Sequence, residues 1–140
     1  MAISADELKD LAYLPGELAL IDRGINEIKR PPYLTDMPEG QREECTAALT
    51  ELIALYQERR RMCAATLGKL RAFLDSIDDP FIRDLFRLRY EEGRDWPDVC
   101  RITELHGFYY APDSLRKMCR RCIERYNENG TEQNGAAATV

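Results

Sequence analysis

Apolar residues recur at alternating intervals of four and three from Cys45 to Ile77, through Leu49, Leu52, Tyr56, Cys63, Leu70 and Phe73, with Arg59 and Thr66 as polar breaks. This heptad seam predicts one uninterrupted helix from about Glu39 to Ile77. An earlier run, Leu11, Leu14, Leu18, Ile21, Ile25 and Ile28, alternates by three and four and predicts another helix, which Pro15-Gly16 should kink or restart. With Pro31 to Gly40 as the connection, the two helices are expected to fold back as an antiparallel hairpin. At about 1.5 Å per residue the long helix spans on the order of 55 to 60 Å and the segment from Pro15 to Arg30 about 24 Å. Part of the seam is left over, to be covered by self-association, by another protein or by the C-terminal part of the chain.

The pattern changes after Asp79. Leu85, Leu88 and Tyr90 lead to Gly93, a residue that takes the left-handed conformation at a helix end without strain. Asp95 then stands as an N-cap with Asp98 three residues on, in the spacing of a capping box. A helix starting near Trp96 would turn Val99, Ile102 and Leu105 inward, with Trp96 as a core anchor. In the final helix Leu115, Met118, Cys119, Cys122, Ile123 and Tyr126 share one face. The opposite face holds Arg116, Lys117, Arg120, Arg121, Glu124 and Arg125, five cations against one carboxylate. Between these helices, His106 to Pro112 carries Phe108, Tyr109 and Tyr110, placed to cover the core edge or to touch a nucleic-acid backbone. The expected fold is all-α: a long, coiled-coil-like helical-hairpin arm over residues 1–78, a helix-turn-helix head over 79–127 and a disordered tail, rich in Asn, Gly and Ala, over 128–140.

Charge sharpens this division. The net charge of -5 opposes binding to phosphate, yet residues 1 to 79 carry -5, residues 80 to 126 carry +2 and the tail -2. A single head of charge +2 should bind nucleic acid weakly and in a salt-sensitive way unless heads are paired. Arg59-Arg60-Arg61 in the arm is read as solvated surface. No segment is long and apolar enough to span a bilayer, and the N-terminus lacks the basic and apolar blocks of a secretion signal, so a bacterial cytoplasm is expected.

Catalytic chemistry is not indicated. The chain has one histidine, no Gly-rich phosphate loop and no serine in a nucleophile-elbow context. Cys119 and Cys122, with Cys100 and His106 upstream, offer four zinc donors on paper, but the Cys-x-x-Cys lies inside a helical pattern on its apolar face, without a knuckle turn. These cysteines are read as core residues, and no metal or cofactor is expected.

The stretch Leu88-Arg89-Tyr90, Gly93, Trp96, Val99-Cys100 and Asp113-Ser114-Leu115-Arg116-Lys117 resembles region four of bacterial sigma factors, and more closely the sigma-like phage transcriptional regulators of the RinA and ArpU kind. The resemblance covers roughly Asp79 to Tyr126. It departs from the family at Cys100, where a small Ala is usual, and in the longer connection before Pro112. It implies a phage or prophage transcriptional regulator that binds double-stranded DNA sequence-specifically, with RNA polymerase as a further partner. The DNA-binding residues so implied are Ser114, Arg116, Lys117, Arg120, Arg121 and Arg125. The other readings are a module whose acidic arm binds a host protein such as RNA polymerase or a defence nuclease, and a DNA-packaging accessory protein. A homo-oligomer is expected in which the arm covers its unpaired seam.

Overall fold

The computed structural model describes residues 2–29 and 37–138, with side chains as far as Gly130. Among the described residues every regular element is helical. In chain order they are α1 (Ala5–Leu8), a 3₁₀ helix (Lys9–Ala12), α2 (Leu14–Lys29), α3 (Glu39–Asp75), α4 (Pro80–Phe86) continuing as a π turn (Arg87–Glu91), α5 (Trp96–Leu105) and α6 (Pro112–Ala138). No described helix is long and apolar enough to cross a membrane. The chain divides into two compact units, Met1–Ala12 with Gly68–Val140, and Tyr13–Leu67.

The first unit is larger than the expected head. Phe86 and Phe73 are fully buried, with Phe73 edge-on to Phe86 at 5.2 Å and to Tyr126 at 4.9 Å. Leu70, Leu74 and Ile77 from the end of α3, and Ile3, Leu8 and Leu11 from the N-terminus, are buried in the same unit. The N-terminal strap is held by a reciprocal pair. Ile3 N–H donates to Asn127 Oδ1, and the Asn127 amide donates to the Ile3 carbonyl, each at 2.8 Å. Burial of these residues explains why residues 79–127 alone do not delimit the unit: the short helices after Asp79 expose Phe86 and Tyr90 unless other segments cover them.

Local chemistry sets the helix boundaries. The Ser76 hydroxyl donates to the Phe73 carbonyl at 2.6 Å and Arg83 Nε to the Ile77 carbonyl at 3.1 Å, which satisfies groups freed where α3 ends. Asp79 accepts from Phe81 N–H, and Pro80 opens α4. Gly93 has φ +71°, as its position after the helical run predicts. Asp95 accepts from Asp98 N–H at 2.9 Å, so α5 is N-capped as expected. The Asp98 side chain does not return the bond; it pairs with Arg94 at 2.8 Å and with Arg101. At the far end Gly107, with φ +88°, closes a Schellman turn: Phe108 N–H reaches the Thr103 carbonyl at 2.9 Å and Gly107 N–H the Glu104 carbonyl at 3.0 Å.

Three expectations need correction. The inner face of α5 is Val99, Cys100 and Thr103, whereas Leu105 is 80% exposed. Thr103 is buried at little cost because its hydroxyl donates to the Cys100 carbonyl at 2.9 Å. Trp96 is half-buried, with the Arg89 guanidinium 5.7 Å from its ring, rather than a fully buried anchor. The expected disordered tail is helical through Ala138, where it continues the established α6, and adding a residue to an existing helix costs less than nucleating one.

In the second unit Pro15 lies in the first turn of α2, where its missing N–H is harmless, so the helix restarts at Leu14 instead of kinking. The α2 and α3 partners run in opposite order: Glu17 meets Arg59 at 3.6 Å and Cys63 at 3.8 Å, Asp22 meets Arg60 at 2.6 Å, and Gly24 faces Tyr56. Leu14, Ile21 and Ile25 are buried on α2. No residue of α3 from 39 to 66 is buried, and Cys45, Leu49, Tyr56 and Cys63 of the seam are half-buried. The connection predicted from Pro31 to Gly40 lies largely outside the described residues.

Candidate nucleic-acid interface

The helix that carries the candidate residues is built by its inner face. Leu115, Cys119 and Ile123 are almost fully buried at intervals of four, and Met118, Cys122 and Tyr126 are half-buried beside them. Helical periodicity then turns Ser114, Arg116, Lys117, Arg120, Arg121 and Arg125 outward, and all six are exposed. Apolar packing on one side thus aligns one cationic face on the other.

The cations are not equivalent. Arg116 pairs with Asp113 at 3.3 Å and Arg120 with Glu124 at 3.8 Å, both within the helix. Lys117, Arg121 and Arg125 form a row at four-residue spacing, and none of the three has an ion pair among the described residues. These charges can meet an external anion without first breaking an ion pair among the described residues. Asp113 also lowers the excess of cations over acids on this surface, and its i,i+3 spacing from Arg116 makes that pair readable from sequence.

Arg121 and Arg125 also line an open groove of about 780 Å³, with Ile77, Ile82 and Met118 as apolar lining and Asp78 and Asp79 as acidic lining. The two aspartates bring negative charge close to part of the basic row. Lys117 does not line this groove and is the member of the row furthest from that influence in sequence order.

The connection between α5 and α6 divides its aromatic residues. Phe108 stacks on Phe81 at 4.6 Å and Tyr110 is tilted against the same ring at 5.8 Å, while Tyr109 is 80% exposed. Phe108 and Tyr110, 44% and 42% exposed, pack on half-buried Phe81 at the core edge, and Tyr109 stands free of it. Cys100 Sγ donates to the Tyr110 carbonyl at 3.0 Å, which ties the connection back to α5.

The thiols behave as core groups. Burial pushes the Cys119 thiol up to about 12. Burial also raises Cys122, against a smaller opposing influence from Arg125, and raises Cys100, helped by Glu104. All three are protonated at neutral pH and pack as small hydrophobes. Among the described residues no group of three or more His, Cys, Asp or Glu side chains converges as metal donors.

Comparison with protein-family models, with curated proteins and with solved structures returns no match.

Proposed function

We propose that the chain is a sequence-specific DNA-binding transcriptional regulator of phage or prophage type, in which α5, the tethered connection and α6 act as a helix-turn-helix. The observation that carries this reading is the outer face of α6: six exposed candidate residues on a helix whose inner face is locked into the core, with Lys117, Arg121 and Arg125 unpaired among the described residues. A helix anchored in this way presents its side chains to the major groove at fixed spacing. Arg121 and Arg125 suit bidentate contact with guanine edges, and Lys117 suits phosphate. Asp95 caps the N-terminus of α5, the helix that would cross the sugar-phosphate backbone in such a docking.

The test is a fluorescence-anisotropy titration of the full chain with duplexes from its own genomic neighbourhood, against scrambled duplexes of equal length. Preference for one native duplex supports the reading. Equal affinity for native and scrambled duplexes would reduce it to non-specific attraction, and absence of binding at low salt would remove it.

A second reading, a module that binds a host protein through its arm, is favoured by the acidic balance of residues 1 to 79 and by exposed Leu52, Leu55 and Met62 on α3. The two readings are compatible, because they use different residues.

A further inference from the structure

We propose that the outward face of α3 docks an amphipathic helix of a partner protein whose apolar stripe is flanked by Lys or Arg. The inference concerns the unit Tyr13–Leu67 and does not rest on DNA binding.

Beside the half-buried residues Leu49, Tyr56 and Cys63, α3 carries an outward row that shares Leu52 and Arg59 with the heptad seam. Ala48, Leu52, Leu55, Arg59 and Met62 recur at alternating intervals of four and three, the spacing of a coiled-coil contact row. Leu52, Leu55 and Met62 are 39%, 69% and 59% exposed. Single exposed leucines are ordinary, but three large apolar side chains at heptad spacing, Leu52, Leu55 and Met62, make the kind of row in which one helix receives another. Tyr13, just before α2, and Leu20 on it, seven residues apart, are each 66% exposed. Glu17 stands between them and binds Arg59 at 3.6 Å, so this ion pair joins the α2 stripe to the α3 row. Two antiparallel helices with adjoining apolar stripes leave the place of a third.

Charge decides what the third helix is. Glu51 and Glu58 are exposed, each one position before a row residue, Leu52 and Arg59, and exposed Glu44 continues them at seven-residue spacing. Flanking positions of this kind select partners by charge. A second copy is a poor occupant. Packed antiparallel through the same row, it would oppose glutamate with glutamate. Packed parallel, it would bring Glu51 and Glu58 against Tyr56 and Cys63, which offer no positive charge. The cations nearby are engaged within the unit: Arg59 by Glu17, Arg60 by Asp22 and Arg61 by Glu58. The occupant that fits has Leu- or Met-type residues over Leu52, Leu55 and Met62, a small or acidic residue over Arg59, and cations over Glu44 and Glu51.

The test uses the full chain and two fluorescein-labelled synthetic helices about three heptads long, roughly 30 Å, with identical leucine stripes and either Lys or Glu at the flanks. Saturable binding is expected for the Lys-flanked peptide and none for the Glu-flanked one. Leu55→Glu, and separately Leu52→Glu, should weaken the Lys-flanked peptide on the order of tenfold, as loss of a central apolar anchor does, although each adds a negative charge. Glu51→Lys, at an exposed position with no apolar side chain to lose, should weaken it by a smaller factor. Far-UV circular dichroism checks that each variant keeps its helix content. Failure of the Lys-flanked peptide to bind, equal binding of both peptides, or affinity that holds or rises in Leu55→Glu would overturn the proposal. So would a concentration-dependent doubling of mass in analytical ultracentrifugation that Leu55→Glu abolishes, which would assign the face to a second copy.

Discussion

Arg120 and Arg121 are neighbours in the chain and unequal in the fold. Arg120 shares its charge with Glu124 at 3.8 Å, whereas Arg121 has no ion pair among the described residues. Arg121→Ala should therefore weaken specific DNA binding by about 1 to 3 kcal/mol, the cost of a lost base contact, and Arg120→Ala should cost less. Glu124→Gln frees Arg120 and removes a negative charge from the face, so it should tighten binding; titration of the three variants against one duplex ranks them. The i,i+3 pair of Arg116 and the i,i+4 pair of Arg120 are legible in the sequence as helical spacings. Nothing local predicts that Asp78 and Asp79 line the same groove as Arg121 and Arg125, because that depends on how distant segments pack. A pH effect also belongs here. The hydrogen bond from Arg94, with Arg101 assisting, holds the Asp98 carboxyl below its ordinary range, and the Lys69 hydrogen bond does the same for Glu7. A carboxyl depressed in the folded state contributes stability above its unfolded pKa, near 4, and loses it as pH falls through the folded value. Urea midpoints should thus fall on acidification below about pH 4, and less steeply in Asp98→Asn. An unchanged acid limb in that variant would show that the pair contributes nothing to folding.

Elements whose periodicity and caps agree are the ones readable from sequence. The heptad seam predicts α3 to within two residues of its observed end at Asp75, and Gly93 and Asp95 locate the break before α5. Where two faces of a short helix compete, pattern alone chooses wrongly: Val99 can lead to Ile102 and Leu105 or to Cys100 and Thr103, and the Schellman turn at Gly107 leaves Leu105 outside. Short α1 and the 3₁₀ helix beside it are too brief to show a period, and packing within their unit maintains them. Two substitutions measure these devices. Asp95→Ala removes the cap on Asp98 N–H and should destabilise the fold by about 1 kcal/mol. Gly93→Ala meets Ala12 Cβ at an ordinary 3.9 Å, so its cost of about 1 to 2 kcal/mol should come from the left-handed backbone and not from a clash. Both should shift the urea midpoint at constant slope.

Across the whole molecule, the net charge of -5 says little about the face that meets a ligand. Cations are denser after residue 80 than before it, and the outer face of α6 sets in a row three of them that have no ion pair among the described residues. Such a local patch can bind phosphate within a Debye length while the chain as a whole repels it at long range, so association should be slow and strongly weakened by salt. The Ile3–Asn127 pair belongs to this scale as well. It spans 124 residues of sequence, leaves no periodic trace, and draws the N-terminus into the unit that carries α6. The central claim, that α6 contacts the DNA backbone and bases, is tested most directly by the salt dependence of binding in the wild type and in a Lys117→Ala/Arg121→Ala/Arg125→Ala variant. For the wild type, log Kobs should fall linearly with log salt, and the slope should become shallower by about 0.9 for each phosphate contact removed. Identical affinity and slope in the two proteins would contradict the account and move the DNA contact, if any, away from this helix.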